Sequence, residues 1–250
     1  MPLTLPAHAA AILPLCRFRG LPPAALVVGA SVPDLAYLFG MGSRSSHTPE
    51  GLLRFSLPVG LILWVWLEVL VLPVLHRTLP AVGGIQWGRF LRTRGLPRGA
   101  RAWALAILAI GLGAATHAIW DSFTHRYRWP SSVLYPDNPL RLGPWELPLA
   151  TWLQHGSSVV GSLGVLGFLV RHYPHLPEAP GGRWRDFLLV LLPTVAFGAV
   201  LLGLRLAHAP PSGPLDLRLK WLLWHVLDGV LAGLTLGCVL ARRRAPPVPG

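Results

Sequence analysis

The chain has 250 residues, of which 52% are hydrophobic and only 13% are charged. Soluble domains carry roughly a quarter charged residues, so this composition excludes an ordinary soluble fold and indicates a protein whose solvent is lipid. The net charge of +12 comes largely from arginines beside long apolar runs, where they contact lipid headgroups, and we therefore expect no nucleic-acid partner.

The first fifty residues are apolar only in short pieces. Ala9–Leu15 and Ala24–Ala30 are too short to cross a bilayer, and arginines and prolines separate them. We expect residues 1–51 to form short helices that lie at the membrane interface or dip into it. A full additional span near Leu21–Phe39 is the alternative.

Five later runs each have roughly 19–24 residues, the length that crosses about 30 Å of hydrocarbon as a helix. These runs lie near Leu52–Leu75, Ala102–Trp120, Trp152–Val170, Phe187–Leu206 and Leu219–Leu240. The predicted fold is therefore all-α, a polytopic membrane bundle of about five transmembrane helices. We expect a single integral membrane domain, with the bundle in residues 52–241 and a basic, proline-rich tail in residues 242–250.

Arginine placement predicts the orientation of the bundle. The loop between the first two spans contains six arginines close to the span ends, which favours a cytoplasmic position for that loop. With five spans, the N-terminal segment, the end of the second span and the start of the third then share the non-cytoplasmic side. We expect a multi-pass protein of the cell (inner) membrane.

The second span ends in a run of regularly spaced polar side chains. His117, Asp121 and His125 are four residues apart, so they form one stripe on a helix. Imidazole nitrogens and a carboxylate on one face suit zinc or a similar divalent ion, and ionisable groups at a membrane span need a partner or a purpose. The alternative is an interfacial stripe that is hydrogen-bonded to loops.

Further candidate ligands fall on the same predicted side of the membrane. Together with the stripe they make seven, from separated segments of the chain: His8, Asp34, His47, His117, Asp121, His125 and His155. Pro33 precedes Asp34 and favours an extended conformation at Val32. Asp34 or Asp121 is the candidate catalytic group, as a base or as a bridge between two ions. We expect a divalent metal, with zinc favoured.

Several of these residues lie in recognisable local motifs. The motifs are Leu5-Pro6-Ala7-His8-Ala9-Ala10 with Leu13-Pro14-Leu15, Gly29 with Val32-Pro33-Asp34, Ser46-His47-Thr48, the HxxxDxxxH run, and Trp152-Leu153-Gln154-His155-Gly156-Ser157-Ser158. Over residues 1–240 the chain resembles the bacterial membrane family called domain of unknown function 4184. That family has no established activity, so the resemblance implies a class of protein and no reaction.

A second resemblance suggests a chemistry. The order His, Pro-Asp, His, then HxxxD and another His is similar to zinc-dependent phospholipase C and to the YdjM-like inner-membrane metal-dependent hydrolases. The resemblance implies that these residues bind metal ions that activate water against a phosphodiester, with His155 as a later ligand. The phospholipase pattern places a Glu where this chain has Val159, so we expect one or two ions here and not three.

Three classes of function follow from these residues. The first is a metal-dependent hydrolase acting on a phosphoester or lipid-linked substrate at the non-cytoplasmic face, with membrane lipids as partners and the oligomeric state left open. Arg126 and Arg128, just after the stripe, are candidates to hold a phosphate and are equally typical of interfacial anchors. The second is a non-enzymatic protein with a structural metal or polar network. The third is a small transporter that uses Glu68, Asp228 and His225.

Overall fold

The computed structural model describes residues 5–39, 43–93, 95–126, 128–135, 139–208 and 215–244, and it is an all-α membrane helical bundle. Packing divides the chain into two compact units, Met1–Trp64 with Arg98–Arg171 and Val65–Pro97 with His172–Gly250. The single domain expected from the sequence stays a prediction.

The first unit begins with two short helices, α1 (Leu5–Ile12) and α2 (Pro23–Leu35), the second of which continues as a 3-10 turn over Ala36–Phe39. The apolar helical segment Pro23–Phe39 is shorter than the spanning helices. Leu26 and Val32 of α2 are fully buried, so this helix packs within the unit and does not simply rest on its surface.

Three longer elements complete the first unit. Helix α3 runs over Pro49–Thr78, with π-helical stretches at Leu52–Ser56 and Leu67–Val71, and it continues beyond Trp64 into the second unit. Helix α4 (Ala100–Thr124) and helix α5 (Leu149–His172) are joined through a short hairpin. Its strands β1 (Pro139–Leu142) and β2 (Trp145–Pro148) pair antiparallel, with Pro139 opposite Pro148.

Two glycines bring α2 and α4 into backbone contact. A Cβ added at Gly29 would lie 2.2 Å from the Ile110 carbonyl oxygen, and one added at Gly113 would lie 2.3 Å from the Leu26 carbonyl oxygen. Only glycine allows this approach, because any side chain would force the two backbones apart. The contact sets the distance between the polar residues that follow on each helix.

The second unit is built on two long helices, α6 (Trp184–His208) and α7 (Leu215–Arg244). Gly233 and Gly237 let α7 approach the backbone of α6, since an added Cβ would lie 2.3 Å from the Pro193 carbonyl oxygen and 2.7 Å from Val190. A small apolar core then forms around Val190 and Cys238.

Among the residues that the structure describes, four helices are long and apolar enough to cross a membrane: α3, α4, α5 with its following 3-10 turn, and α6. Each contains one of the first four predicted spans. The fifth predicted span, Leu219–Leu240, lies inside α7, of which the side chains are described only in part. Large apolar side chains along α5 and α6 are exposed, among them Val160 at 69% and Leu192 at 61%, as lipid-facing positions are.

The acidic residues of the transporter hypothesis lie in the second unit. Glu68 is buried at 5% exposure within a π-helical stretch of α3, and the Thr93 hydroxyl donates a hydrogen bond to its carboxylate. Asp228 is half-buried on α7, and the side chain of His225 lies outside the described part of the chain. The use of these residues in transport stays a prediction.

Candidate metal centre

The C-terminal end of α4 supplies the centre of the site. His117 and Asp121, one helical turn apart, are 0% and 2% exposed. The helix ends at Thr124, so His125 has extended backbone, and its N–H donates to the Asp121 carbonyl at 2.9 Å. The predicted stripe therefore consists of two helical residues and one cap residue, whose Nδ1 still lies 3.3 Å from Asp121 Oδ1.

Asp34 reaches the same point from the end of α2. The expectation of extended backbone before Pro33 was wrong, because the helix runs through Pro33 to Leu35. Proline has no N–H to donate to the Gly29 carbonyl one turn earlier, and the helix ends two residues after it, at Leu35. Asp34 thus projects from helical backbone, and its side chain is 15% exposed.

His47 comes from a third segment, between a helical turn at Ser43–Ser46 and the start of α3. Thr48 caps α3: its hydroxyl accepts the Gly51 N–H at 3.0 Å and donates to the Ser45 carbonyl at 2.9 Å. The cap fixes the backbone beside His47. The imidazole side chain is 2% exposed, and its Nδ1 lies 3.0 Å from the Ser46 hydroxyl.

The four residues place their ligand atoms together. One ligand atom each from Asp34, His47, His117 and Asp121 lies within 4.8 Å of the other three. His47 Nε2 is 3.1 Å from His117 Nε2, 3.1 Å from Asp121 Oδ2 and 3.7 Å from Asp34 Oδ1. His117 Nε2 is 3.6 Å from Asp34 Oδ1 and also 3.6 Å from Asp121 Oδ2. Tetrahedral zinc with bonds of about 2.0–2.1 Å separates its ligand atoms by roughly 3.3 Å. This buried group could therefore hold a metal ion.

A backbone contact orients the central imidazole. His117 Nδ1 lies 2.7 Å from the carbonyl oxygen of Ala30 on α2. A carbonyl only accepts hydrogen bonds, so Nδ1 carries the proton and, in the neutral ring, Nε2 presents a lone pair to the other three residues. Metal-bound histidines are held in this way by a second hydrogen bond on the far nitrogen.

His8 of α1 lies directly beside this group. Its ring stacks on His117 with centroids 3.8 Å apart, and its Nε2 is 3.4 Å from Asp121 Oδ1. Burial, followed by the charge of His117, lowers the pKa of His8 from 6.5 to about 4. The ring is therefore neutral near pH 7, which is the form that binds metals.

α5 contributes Gln154 to the edge of the site. Its amide lies 2.9 Å from His125 Nε2, while Ser157 accepts a hydrogen bond from Trp120 Nε1 at 3.3 Å. A cleft here is lined by His8, Trp120, Asp121, His125, Gln154 and Ser157, among others. Burial is the largest reason why the pKa of His125 lies below its usual value; the charge of Asp121 opposes this and that of Arg128 adds to it.

The structure therefore brings together six of the seven predicted ligands: His8, Asp34, His47, His117, Asp121 and His125. Among the described residues, the seventh, His155, makes no hydrogen bond or ion pair with this group, and its role as a ligand stays a prediction. Gln154, the residue before His155, was not predicted from the sequence to contact the site, although its amide lies beside His125. The signal that could have indicated it is its position in the polar first turns of α5.

A family model described as domain of unknown function 4184 matches residues 1–242. The chain belongs to this family. No curated protein and no solved structure matches the chain, so the resemblance to phospholipase C and to YdjM-like hydrolases stays a prediction. The description of the family assigns no reaction.

Proposed function

We propose that this chain is a membrane-bound, metal-dependent hydrolase that acts on a phosphoester or lipid-linked substrate. The observation that carries the proposal is the buried group of Asp34, His47, His117 and Asp121, whose ligand atoms lie within 4.8 Å of one another. Two imidazoles with two carboxylates are a donor set that suits zinc. Groups this polar are costly inside a membrane protein, and a bound cation would offset that cost.

A bound divalent ion would supply an activated water, by lowering its pKa from about 15.7 to about 7, and would polarise a phosphoryl oxygen. In the proposed reaction, water adds to phosphorus, the ester P–O bond breaks, and the leaving alcohol takes up a proton. Asp34 is the better candidate to act as the base beside the ion instead of as its fourth ligand, because its side chain is 15% exposed whereas that of Asp121 is 3% exposed. Asp121, as the more buried of the two carboxylates, is better placed to act as a metal ligand.

The proposed substrate class follows from the position of the site. Its central residues lie at the end of an apolar spanning helix, α4, where lipid headgroups meet the protein. Arg128, half-buried three residues after His125, is a suitable partner for a phosphate group. By the positive-inside rule the site faces the non-cytoplasmic side of the cell membrane. We propose membrane lipids as the partners of this chain, and we propose no nucleic-acid partner.

A structural ion is the alternative that one observation favours. Four protein ligands fill the coordination of zinc, as in structural sites, whereas catalytic sites keep one position open. A protein of this kind would bind metal tightly and catalyse nothing. Metal content and hydrolysis therefore need to be measured on the same preparations.

The first experiment is metal analysis of the full chain, purified in detergent without a metal-binding tag. We expect at least one equivalent of zinc or another divalent ion in the wild type and loss of it in His117→Ala/Asp121→Ala. The matched control is His208→Ala/Asp186→Ala, which removes the same residue types from positions outside the site. Wild-type protein that binds no metal after reconstitution with zinc or manganese would overturn the proposal.

The second measurement is hydrolysis of phosphodiester and lipid-phosphate substrates in mixed micelles. Asp121→Asn keeps the size of the side chain and removes its charge, so we expect a loss of activity of at least 100-fold, in the range seen when a catalytic-site group is removed. Full activity in metal-free protein would exclude metal-dependent hydrolysis. Bound metal without activity on any of these substrates would favour the structural ion.

A further inference from the structure

The arginine-rich loop between α3 and α4 contains a closely packed turn in the second unit. Residues Trp87–Leu91 form a 3-10 helix, with Gln86 at its N-terminal cap. The Gly88 carbonyl accepts a hydrogen bond from His76 Nδ1 at 2.8 Å, which holds the turn against the end of α3. A Cβ added at Gly88 would lie 2.7 Å from the His76 carbonyl oxygen, so glycine is needed for this approach of the two backbones.

Tyr173, in the 3-10 turn after α5, contacts two residues of the Trp87–Leu91 turn and its cap. Its hydroxyl accepts the Gln86 N–H at 2.9 Å, and the Arg89 guanidinium lies over its ring, with Cζ 4.9 Å from the ring centroid. The Arg89 N–H also donates to the Gln86 carbonyl at 3.0 Å, and side chains three residues apart in a 3-10 turn lie on the same side. The tyrosine therefore fixes the guanidinium on the side of the turn that carries Gln86.

Both of these side chains have a buried polar atom without a hydrogen-bond partner in the part of the chain that the structure describes. The two atoms are Arg89 Nε, which is a donor, and Gln86 Oε1, which is an acceptor. The Arg89 side chain is 15% exposed, and its Nη2 lies 3.9 Å from a carboxylate oxygen of Glu178, whose side chain is 85% exposed. So long and exposed an ion pair contributes little, and it leaves the buried N–H of the guanidinium unsatisfied.

A phosphate group has the chemistry that the guanidinium lacks. Arginine is permanently charged, and its planar fork donates two parallel hydrogen bonds to phosphate oxygens. Gln86 Oε1 needs a donor, which a hydroxyl or ammonium group beside the phosphate supplies. The turn also lies at the end of the spanning helix α3, and Trp87 is 40% exposed, as is typical of aromatic residues at the level of lipid headgroups.

We propose that Gln86 and Arg89 bind a phosphate ester with a hydroxyl or ammonium group next to its phosphate, the chemistry shared by phospholipid headgroups and by soluble compounds such as glycerol phosphate. Arg89 Nε–H and one Nη–H donate to the phosphate oxygens, and Gln86 Oε1 accepts from the neighbouring group. Glu178 is exposed, so its carboxylate moves away from the bound anion without breaking a close contact. None of these residues belongs to the metal centre, and the inference does not depend on the proposed function.

Binding of short-chain phosphatidylglycerol to the full chain in detergent, titrated by native mass spectrometry, tests this site. A chelator is present throughout, so that the metal centre hydrolyses no ligand. We expect Arg89→Gln to weaken binding by roughly 10–100-fold, the range for lost hydrogen bonds to a charged group. Arg92→Gln is the matched control, because Arg92 is exposed in the same loop, and it should bind as the wild type does.

A second arm uses glycerol phosphate, which has no acyl chains, as a competitor. Competition that is lost in Arg89→Gln would support the site and assign it to soluble phosphate esters. Arg89-dependent binding of phosphatidylglycerol without such competition would support the site and assign it to a lipid headgroup. Equal weakening in Arg89→Gln and Arg92→Gln, or binding of neither probe, would overturn the proposal.

Glu178→Gln keeps the inference testable if Arg89→Gln fails to fold, since Glu178 is exposed and its replacement leaves the turn intact. It removes the anion that competes for the guanidinium, so we expect tighter binding of phosphatidylglycerol, by roughly two- to fivefold, the worth of a weak exposed ion pair. Unchanged or weaker binding in Glu178→Gln would contradict a phosphate on Arg89.

Discussion

Single hydrogen bonds decide which nitrogen each histidine presents to the site. The Ala30 carbonyl accepts a hydrogen bond from His117 Nδ1–H, and the Ser46 hydroxyl lies beside His47 Nδ1 at 3.0 Å. In both rings the contact on Nδ1 leaves Nε2 directed at the carboxylates. Such contacts restrict the rotation of the imidazole, so part of the metal affinity resides in residues that never touch the metal.

Ser46 gives the first prediction at this scale. Ser46→Ala removes the hydroxyl beside His47 and should lower the affinity for zinc by roughly 10-fold, the lower end of the range for such supporting contacts. Ser46 is fully buried, so the substitution does not change the surface of the protein. The affinity is measured by competition with a chelator of known zinc affinity.

Ser122→Ala is the matched control, since Ser122 lies on the same helix as the site but its hydroxyl donates to the Ile119 carbonyl at 2.6 Å, away from the ligands. Equal affinities in wild type, Ser46→Ala and Ser122→Ala would show that Ser46 does not support the ligand His47.

At the scale of elements, the site depends on the close packing of α2 on α4. Gly113 approaches the Leu26 carbonyl, and one turn later His117 bonds to Ala30 and lies beside Asp34. The glycine contact and the ligand contacts therefore belong to one interface. A change in the distance between these helices would move Asp34 relative to His117 without altering any ligand.

Gly113→Ala tests this dependence. Its Cβ would lie 2.3 Å from a backbone oxygen and 2.7 Å from the Ala30 nitrogen, so α2 and α4 must separate. We expect a lower thermal midpoint in detergent, by several degrees for a cost of about 1–3 kcal/mol, together with weaker metal binding.

Gly111→Ala is the control on the same helix, because its added Cβ meets only the Leu57 side chain at 3.5 Å, an ordinary contact. Wild-type behaviour of Gly111→Ala with loss in Gly113→Ala is expected. If Gly113→Ala binds metal as the wild type does, the packing of α2 does not set the ligand geometry.

At the scale of the whole molecule, the order of the segments predicts which exposed positions share a side of the membrane. The β1–β2 hairpin follows the end of α4, and the arginine-rich loop precedes its start. A helix that crosses once places these two regions on opposite sides. We expect the hairpin on the non-cytoplasmic side, together with His125.

Cysteine accessibility checks this arrangement. In a Cys16→Ser/Cys238→Ser background, a membrane-impermeant maleimide should label Arg141→Cys in intact cells, because Arg141 is exposed on β1. Arg92→Cys, exposed in the arginine-rich loop, should be labelled only after permeabilisation. The reverse pattern would place the site on the cytoplasmic side and redirect the choice of substrates.

Much of this architecture follows from local sequence. Each of the five predicted spans lies inside one continuous helix, since the length of an apolar run is set by the thickness of the bilayer and needs no tertiary information. The spacing of four between His117 and Asp121 likewise placed both on one face of α4. Six of the seven predicted ligands meet in the structure because they are polar groups that lipid would exclude.

Only the tertiary structure decided how these ligands divide. Sequence spacing gave no means to know that Asp121 directs one oxygen at His47 and the other at His8, since this depends on packing among segments far apart in the chain. It also gave no means to choose Gln154 over His155, because adjacent helical residues point about 100° apart and the neighbouring helix selects one. The types of ligand are local properties of the sequence; their partners are properties of the packed bundle.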